Sequence, residues 1–353
     1  MLPGIFILNY IKKIFMTKKI NVAVIGLGVG FKHALIYKKN KYCNLAIICD
    51  KNKQKIRKLK KYFPDVKFTI NENDIFNNKS IKLVSIASYD NFHYQHVKKS
   101  FENNKHVMVE KPICLTEVEL KNLIFILKKK KKLKISTNFT LRGSSIFNLL
   151  KKKISDFGKI YYIEASYNYG RIEKIIKGWR STIPFYSVTH GGTIHLIDLI
   201  MWLTKKKIIK VISIGNKIST NKSKFRFKDC VSTLCLFEDG STAKFNANFG
   251  CVTPHHHLVQ IYGTKKTFIH NLENSFLYSS RDADKKNQKV FKFNRNFFTY
   301  DKSKTLNDFI KSIVKNKKIN ISKKNILDVM SVSIAIENSL KTKKWEKVNY
   351  HEI

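Results

Sequence analysis

The sequence predicts an α/β protein in two parts, a first half on a parallel sheet and a second half of α+β type. Three observations carry this. A β-branched run enters a glycine-rich turn and then a helix near the N-terminus. Apolar runs and helical segments then alternate through about residue 112. Beyond about residue 140 strand-like runs follow one another, with few helices between them. The chain has 353 residues, enough for two cores, and its 43% hydrophobic content is that of a globular protein rather than a disordered one.

The first unit is "INVAVIGLGVGFKHALIY", Ile20 to Tyr37. Strand, glycine turn and helix in this order make a dinucleotide site. Gly26 permits the tight turn, Gly28 lets backbone approach a pyrophosphate, and Gly30 opens a helix whose free N–H groups face that anion. The third glycine stands one residue earlier than in G-x-G-x-x-G. The second strand, "CNLAIICD", ends in Asp50, about twenty residues on, where a carboxylate accepts hydrogen bonds from the cofactor ribose. A free 2′-hydroxyl suits that acid and a 2′-phosphate is repelled, so NAD is favoured. Lys51 and Lys53 blunt the repulsion, so NADP is not excluded. The plainer role for Asp50 is to cap the next helix, "KNKQKIRKLKKYF".

"IKLVSIASYDNFHYQHVKKSF" (81–101) and "KHVMVEKP" (105–112) continue the rhythm of a Rossmann sheet. Ligands bind at the carboxyl ends of such strands. Ser88, Asp90, Glu110 and Lys111 fall there, which puts Lys111 where a nicotinamide and its substrate would meet. Residues 1–15 precede the first strand and are expected to be a disordered or spurious extension, leaving a dinucleotide-binding domain over 16–138. From 139 to 353 the runs "KIYYIEASYNYG", "IKVISIGN", "CVSTLCLFED", "STAKFNANFG" and "HLVQIYG" succeed one another, with helices expected at 192–203 and after 304.

The formal net charge of +43 suggests nucleic acid at first sight. The excess is nearly all lysine scattered along the chain, and arginine, the residue suited to bidentate phosphate contacts, is scarce. The charge is therefore read as compositional background, with no specific nucleic-acid partner. Six cysteines form no C-x-x-C pair and several sit in apolar runs, which reads as reduced buried thiols in the cytoplasm. No apolar run is long enough to span a bilayer, so no membrane partner is expected. The three histidines at 255–257 point to alternate faces if they lie on a strand, so no metal site is expected there.

"GLGVGFKHA", "ICDKN", "SIASYDNFHYQHV" and above all "KHVMVEKPICLT" resemble the glucose–fructose oxidoreductase/inositol dehydrogenase family, Gfo/Idh/MocA. The likeness continues through "YGRIEKIIKGWR", "GGTIHLIDLIMWL" and the closing helices, and so covers nearly everything after Met16. It implies a Rossmann domain followed by an α/β domain with a large, mainly antiparallel sheet. One face of that sheet would pack against a second subunit, as a homodimer or homotetramer. It also implies nicotinamide-dependent oxidation or reduction of a secondary alcohol. On this likeness Lys111 and His195 are the catalytic pair, with Asp198 completing H-x-x-D at the substrate. Gly26, Gly28, Gly30, Asp50, Ser88, His93 and Glu110 make the cofactor side.

The chain departs from the family pattern twice. Gly191 stands where many members have an acid, and "SYDNFH" replaces "TPNxxH". Arg171 and Arg180, with the aromatic residues around them in "YNYGRIEKIIKGWR", suit an anionic sugar, and a nucleotide sugar is the expected substrate. The alternatives are an inositol-type dehydrogenase and a non-catalytic dinucleotide-binding sensor.

Overall fold

Strands β1 (Ile20–Ile25), β2 (Cys43–Cys49), β3 (Lys67–Thr69), β4 (Ile81–Ile86), β5 (His106–Val109) and β6 (Ile135–Thr137) form one parallel sheet in the order β3-β2-β1-β4-β5-β6. The computed structural model describes residues 19–282, 289–293 and 301–353, without the side chain of residue 302. The expected extension over 1–15 lies outside the described residues. Helices α1 (Gly30–Lys39), α2 (Lys53–Lys60), α3 (Asn73–Phe76), α4 (Asp90–Glu102) and α5 (Glu117–Lys129) follow the first five strands. Val22, Ala23 and Val24 are fully buried in succession, as expected of a strand covered on both faces. The strand order reverses between β1 and β4, and at such a point the loops at the carboxyl ends part and leave a crevice.

The second sheet has nine strands: β7 (Ile160–Asn168), β8 (Ile208–Asn216), β9 (Cys230–Phe237), β10 (Thr242–Asn248), β11 (His256–Gly263), β12 (Thr267–His270), β13 (Ser275–Tyr278), β14 (Val290–Phe293) and β15 (Glu346–Lys347). Their order is β14-β13-β12-β11-β7-β10-β9-β8-β15. Neighbours are antiparallel except β7 and β10, which run parallel, so the sheet is mixed and mainly antiparallel. Strands β12 to β15 are two to four residues long and carry too few residues for a visible alternation, which is why the sequence pattern did not announce them.

Helices α6 (Ser145–Lys153), α7 (Glu173–Ile176), α8 (Ile194–Thr204), α9 (Lys302–Val314) and α10 (Lys323–Thr342) complete the described elements. The helix expected at 192–203 begins at Ile194, after a π-helical turn over Thr189–Thr193. Two features tie the halves together. One face of the parallel sheet, through Val84, Ile86 and Val107, shares a continuous core with Phe245 and Ile261 of the second sheet and Met330 of α10. The other face buries Val22 and Tyr37 with Leu306, Phe309 and Ile310 of α9. The chain thus returns late to seal the first core, so the division at 138/139 follows chain order more closely than core membership.

Candidate active site

Three glycines open the site, each for a different reason. Gly26 has φ +90°, and a Cβ there would lie 2.3 Å from the Ala87 carbonyl oxygen, so the fold itself demands glycine. Gly30 is buried against Val24 and Ala87 and serves helix–strand packing rather than the crevice. Gly28 is exposed, and a Cβ there would meet nothing within 4 Å. No protein atom requires glycine at 28; the space is left for something that approaches the backbone. Gly26, Gly28 and Val29 line a cleft of about 340 Å³ at the strand ends, which runs past Asp50 and Asp90 to Lys111 and Arg180. An open glycine backbone at the head of α1 suits a pyrophosphate, so the residues present fit a dinucleotide.

Asp50 sits at the end of β2 as expected, but its carboxylate is already occupied. Oδ2 accepts the Leu27 N–H at 2.6 Å and pairs with Lys55 Nζ at 3.3 Å, and Oδ1 accepts the Asn52 N–H at 2.8 Å. The acid braces the glycine turn as well as facing the cleft. The helix cap proposed for it belongs to Asn52, whose side chain accepts the Lys55 N–H. Ser88 borders the cleft, with its hydroxyl 3.0 Å from His96 Nδ1. His93 is fully buried, and its ring nitrogens lie 2.6 Å from Pro112 O and 3.1 Å from Ser88 O. It lines the cleft, and it clasps the loops after β4 and β5 and so holds two strand ends in register. Glu110 accepts from Asn138 Nδ2 at 2.8 Å and lies 3.0 Å from His33 Nε2. Burial opposes its ionisation, but the His33 and Asn138 contacts and the Lys111 charge prevail and hold its carboxyl below the usual range.

Lys111 follows directly and points across to the second half of the chain, where Nζ donates to Gly191 O at 2.5 Å. Burial lowers its pKa, opposed by the nearby Asp90 and Glu110 carboxylates. His195, in the first turn of α8, is buried, and its Nδ1 has no hydrogen-bond partner. Burial first, then the Lys111 charge and His257 and His255, push its pKa well below the ordinary imidazole value. A neutral imidazole and an ammonium are therefore brought to the same backbone segment by residues 84 positions apart in sequence. Tyr167 stacks on the imidazole at 6.0 Å between centroids, which fixes its plane.

Asp198, expected at the substrate, is corrected by the geometry. It is fully buried, and Arg142 engages both carboxylate oxygens, Nε to Oδ2 at 2.9 Å and Nη2 to Oδ1 at 2.6 Å. Neither it nor His195 is among the residues that line the cleft, and it locks α8 to the segment after β6. Tyr167 and Tyr169, read as sugar-stacking residues, are also buried and pack on Phe249. Arg171 is exposed, lies outside the cleft lining and rests over the Tyr169 ring at 5.7 Å. Of that cluster, Trp179 and Arg180 do reach the cleft. Trp179 stacks on Tyr89 at 4.7 Å and 7°, bridging the two halves.

Arg180 Nε donates to Tyr186 OH at 3.0 Å. That hydroxyl occupies the space a side chain at 191 would need, since a Cβ on Gly191 would lie 2.2 Å from it. The missing acid at 191 is therefore matched by a tyrosine held on an arginine. Tyr186, His33, Asn138 and Arg142 were not singled out from the sequence. Only Arg142 carried a usable signal, as an arginine in a chain that otherwise uses lysine.

His255 and His257 flank Tyr167 on one face of the second sheet, while His256 turns to Asn168. Among the described residues no helix is long and apolar enough to cross a membrane.

Comparison with known proteins agrees with this geometry. Residues 20–139 match the model of the oxidoreductase family with NAD-binding Rossmann fold, GFO_IDH_MocA, and residues 149–269 match the GFO/IDH/MocA C-terminal domain. Over 143 residues the chain is 28% identical to the uncharacterized oxidoreductase YhhX of Escherichia coli, covering 40% of each protein. It is 28% identical over 189 residues to scyllo-inositol 2-dehydrogenase (NADP(+)) IolW of Bacillus subtilis, covering 51% of this chain and 50% of that protein. The chain spans about half the length of the curated relatives it matches. A solved levoglucosan dehydrogenase in complex with NADH and L-sorbose superposes with a TM-score of 0.82 at 18% identity, over 94% of this chain and 99% of that one. The two matched domains and the glycine-lined cleft between them make this chain a member of the Gfo/Idh/MocA family of oxidoreductases.

Proposed function

We propose that the chain is a nicotinamide-dependent dehydrogenase acting on a secondary alcohol of a sugar-like substrate. The observation that carries this reading is the Lys111–Gly191 contact, which joins a cleft-lining ammonium to the segment that bears His195. The bound nicotinamide supplies the two-electron acceptor in the oxidising direction. His195, which burial and the Lys111 charge hold neutral, takes the hydroxyl proton. The Lys111 ammonium stabilises the negative charge that develops on the reacting oxygen. The Asp90 and Glu110 carboxylates offset part of the cost of burying that ammonium. Residues 16–138 act as the dinucleotide unit and 139–353 as the substrate and oligomerisation unit of a cytoplasmic homodimer or homotetramer.

The finer reading is an anionic sugar, a nucleotide sugar in first place, and it rests on Arg180. That guanidinium borders the cleft beside Trp179, and Tyr186 and the Trp179 ring hold its plane. A neutral sugar or cyclitol is the second reading, favoured by the names of relatives such as scyllo-inositol 2-dehydrogenase and D-glucoside 3-dehydrogenase.

The test is turnover of the purified protein on nucleotide sugars, free sugars and inositols with NAD and NADP, beside Lys111→Met. The variant should bind NADH within a few-fold of wild type and lose turnover by about 10²–10⁴-fold. Near-normal turnover in the variant sinks the catalytic role. Preference for free inositol, with Arg180→Ala silent, sinks the anionic substrate alone.

A further inference from the structure

Four carboxylates line the cleft, those of Asp50, Glu72, Asp90 and Glu110. Three of them are engaged by the protein. Asp50 accepts the Leu27 and Asn52 N–H groups. Glu72 lies 3.1 Å from His96 Nε2 and 2.9 Å from Lys99 Nζ, and Glu110 meets Asn138 and His33. Asp90 is the exception. It is 9% exposed, yet among the described residues its side chain makes no hydrogen bond and no ion pair, and neither oxygen is sealed from the cleft. Asp90 opens α4, where an acid complements the free N–H groups of the first turn. That accounts for an acid in this helix. It does not account for one left without a partner in so buried a place, since buried charges are normally paired.

The surroundings of Asp90 are those of the substrate end. Lys111 and Arg180 line the cleft with it. Burial is the largest influence on the ionisation of Lys111, Arg180, Tyr186 and His190, and the Asp90 charge acts on all four. These groups gather around Gly191. Lys111 donates to Gly191 O, the Tyr186 hydroxyl fills the space of a side chain at 191, and Arg180 donates to that hydroxyl. The acid missing at 191 in the second half of the chain thus has a counterpart at 90 in the first.

We propose that Asp90 is a substrate-binding carboxylate, which accepts a hydrogen bond from a hydroxyl on the carbon next to the reacting carbinol. The proposal rests on the dehydrogenase reading above. Lys111 meets the reacting oxygen as a donor, and a hydroxyl beside it needs an acceptor, which is all a carboxylate can be. Charge-assisted bonds of this kind are the short, strong ones. A phosphate or carboxylate in place of that hydroxyl would be repelled by Asp90, so an anionic group of the substrate belongs further from the reacting carbon.

The test pairs the residue with the hydroxyl. The best substrate of the nucleotide sugar, free sugar and inositol panel is compared with its monodeoxy analogues, each lacking one hydroxyl beside the reacting carbon. Wild type, Asp90→Asn and Asp90→Ala are assayed on all of them. In wild type kcat/KM should fall by about ten- to hundredfold for the analogue without the bonded hydroxyl. In Asp90→Ala parent and analogue should differ by less than about threefold, with Asp90→Asn between, because its amide oxygen still accepts. A carboxylate that served only the Lys111 charge or the head of α4 would lower parent and analogue alike. An unchanged parent-to-analogue ratio in both variants therefore overturns the proposal, as does wild-type turnover on the parent in both. Asp90→Asn should keep NADH binding and the thermal melt close to wild type; loss of NADH binding there would put the carboxylate at the cofactor and overturn the proposal. A wild type that turns over no member of the panel removes the dehydrogenase reading itself, and this proposal with it.

Discussion

The two ends of the cleft are built by different means. At the dinucleotide end the working surface is backbone: the turn at Gly26, the open Cα of Gly28 and the head of α1. At the substrate end it is side chains held by other side chains. Lys111 rests on Gly191, Arg180 on Tyr186, and Trp179 on Tyr89. A backbone site is fixed by a local run of residues, and its residue types are dictated by sterics. A side-chain site is assembled across the fold, and any one member can be exchanged if its partner changes too, as at Gly191 and Tyr186.

The sharpest break between the ends is expected at the Arg142–Asp198 pair, which supports the substrate end from behind. Arg142→Ala leaves a fully buried carboxylate without its partner and should cost about 3–5 kcal/mol in denaturant unfolding. Should Asp198→Asn raise KM sharply without lowering stability, Asp198 would belong at the substrate after all.

The glycines separate fold from ligand within a single turn. Gly26→Ala meets both a positive φ and the Ala87 carbonyl and should destabilise the protein by about 1–3 kcal/mol or more. Gly28→Ala should leave the melting temperature nearly unchanged yet weaken NADH binding by about tenfold or more, since only a ligand needs that space. Equal stability losses in the two variants would merge the roles that the geometry separates.

His195 gives a pH test. Its pKa lies below the usual value, so the proton-accepting form persists as pH falls. An imidazole titrating at about 6.5 would lose about tenfold in active form by pH 5.5; here kcat/KM should stay flat across that interval, and NMR of the His195 ring should show no titration. For stability the sign runs the other way. The unfolded chain takes up protons near pH 6.5 while the folded histidines refuse them, so stability falls as pH drops below about 6.5. His257, held down to about 3, and His270, to about 4, both first by burial, add to the same loss. A His195 resonance that titrates at 6.5 would contradict the buried, neutral ring.

The smallest effect is expected at the bridge between the halves. The Tyr89–Trp179 stack should contribute about 0.5–1.5 kcal/mol beyond area burial. Trp179→Ala should therefore raise substrate KM by about three- to tenfold with kcat close to wild type. Tyr89→Ala added to it should cost little more, because the shared contact is already gone. Additive losses would mean that the two rings act separately.

The sequence alone determined the parallel half, the glycine turn, the acid at the end of β2 and the lysine after β5. Each depends on a short run of residues: a strand that must be apolar on both faces, a turn that admits only glycine, a polar residue where a strand meets solvent. The helix bearing His195 was legible from its apolar run, and the histidine's role through family likeness. Tertiary structure decided what distance along the chain concealed. Asp198 looked free until Arg142, 56 residues away, took both its oxygens. Tyr167 and Tyr169 looked like a binding surface until Phe249 covered them. Lys55 rather than Lys53 reaches Asp50, because the first turn of α2 carries it back over the strand end. The loss of an acid at 191 could not be understood without Tyr186, because a vacancy in a sequence does not say which neighbouring group fills it in space.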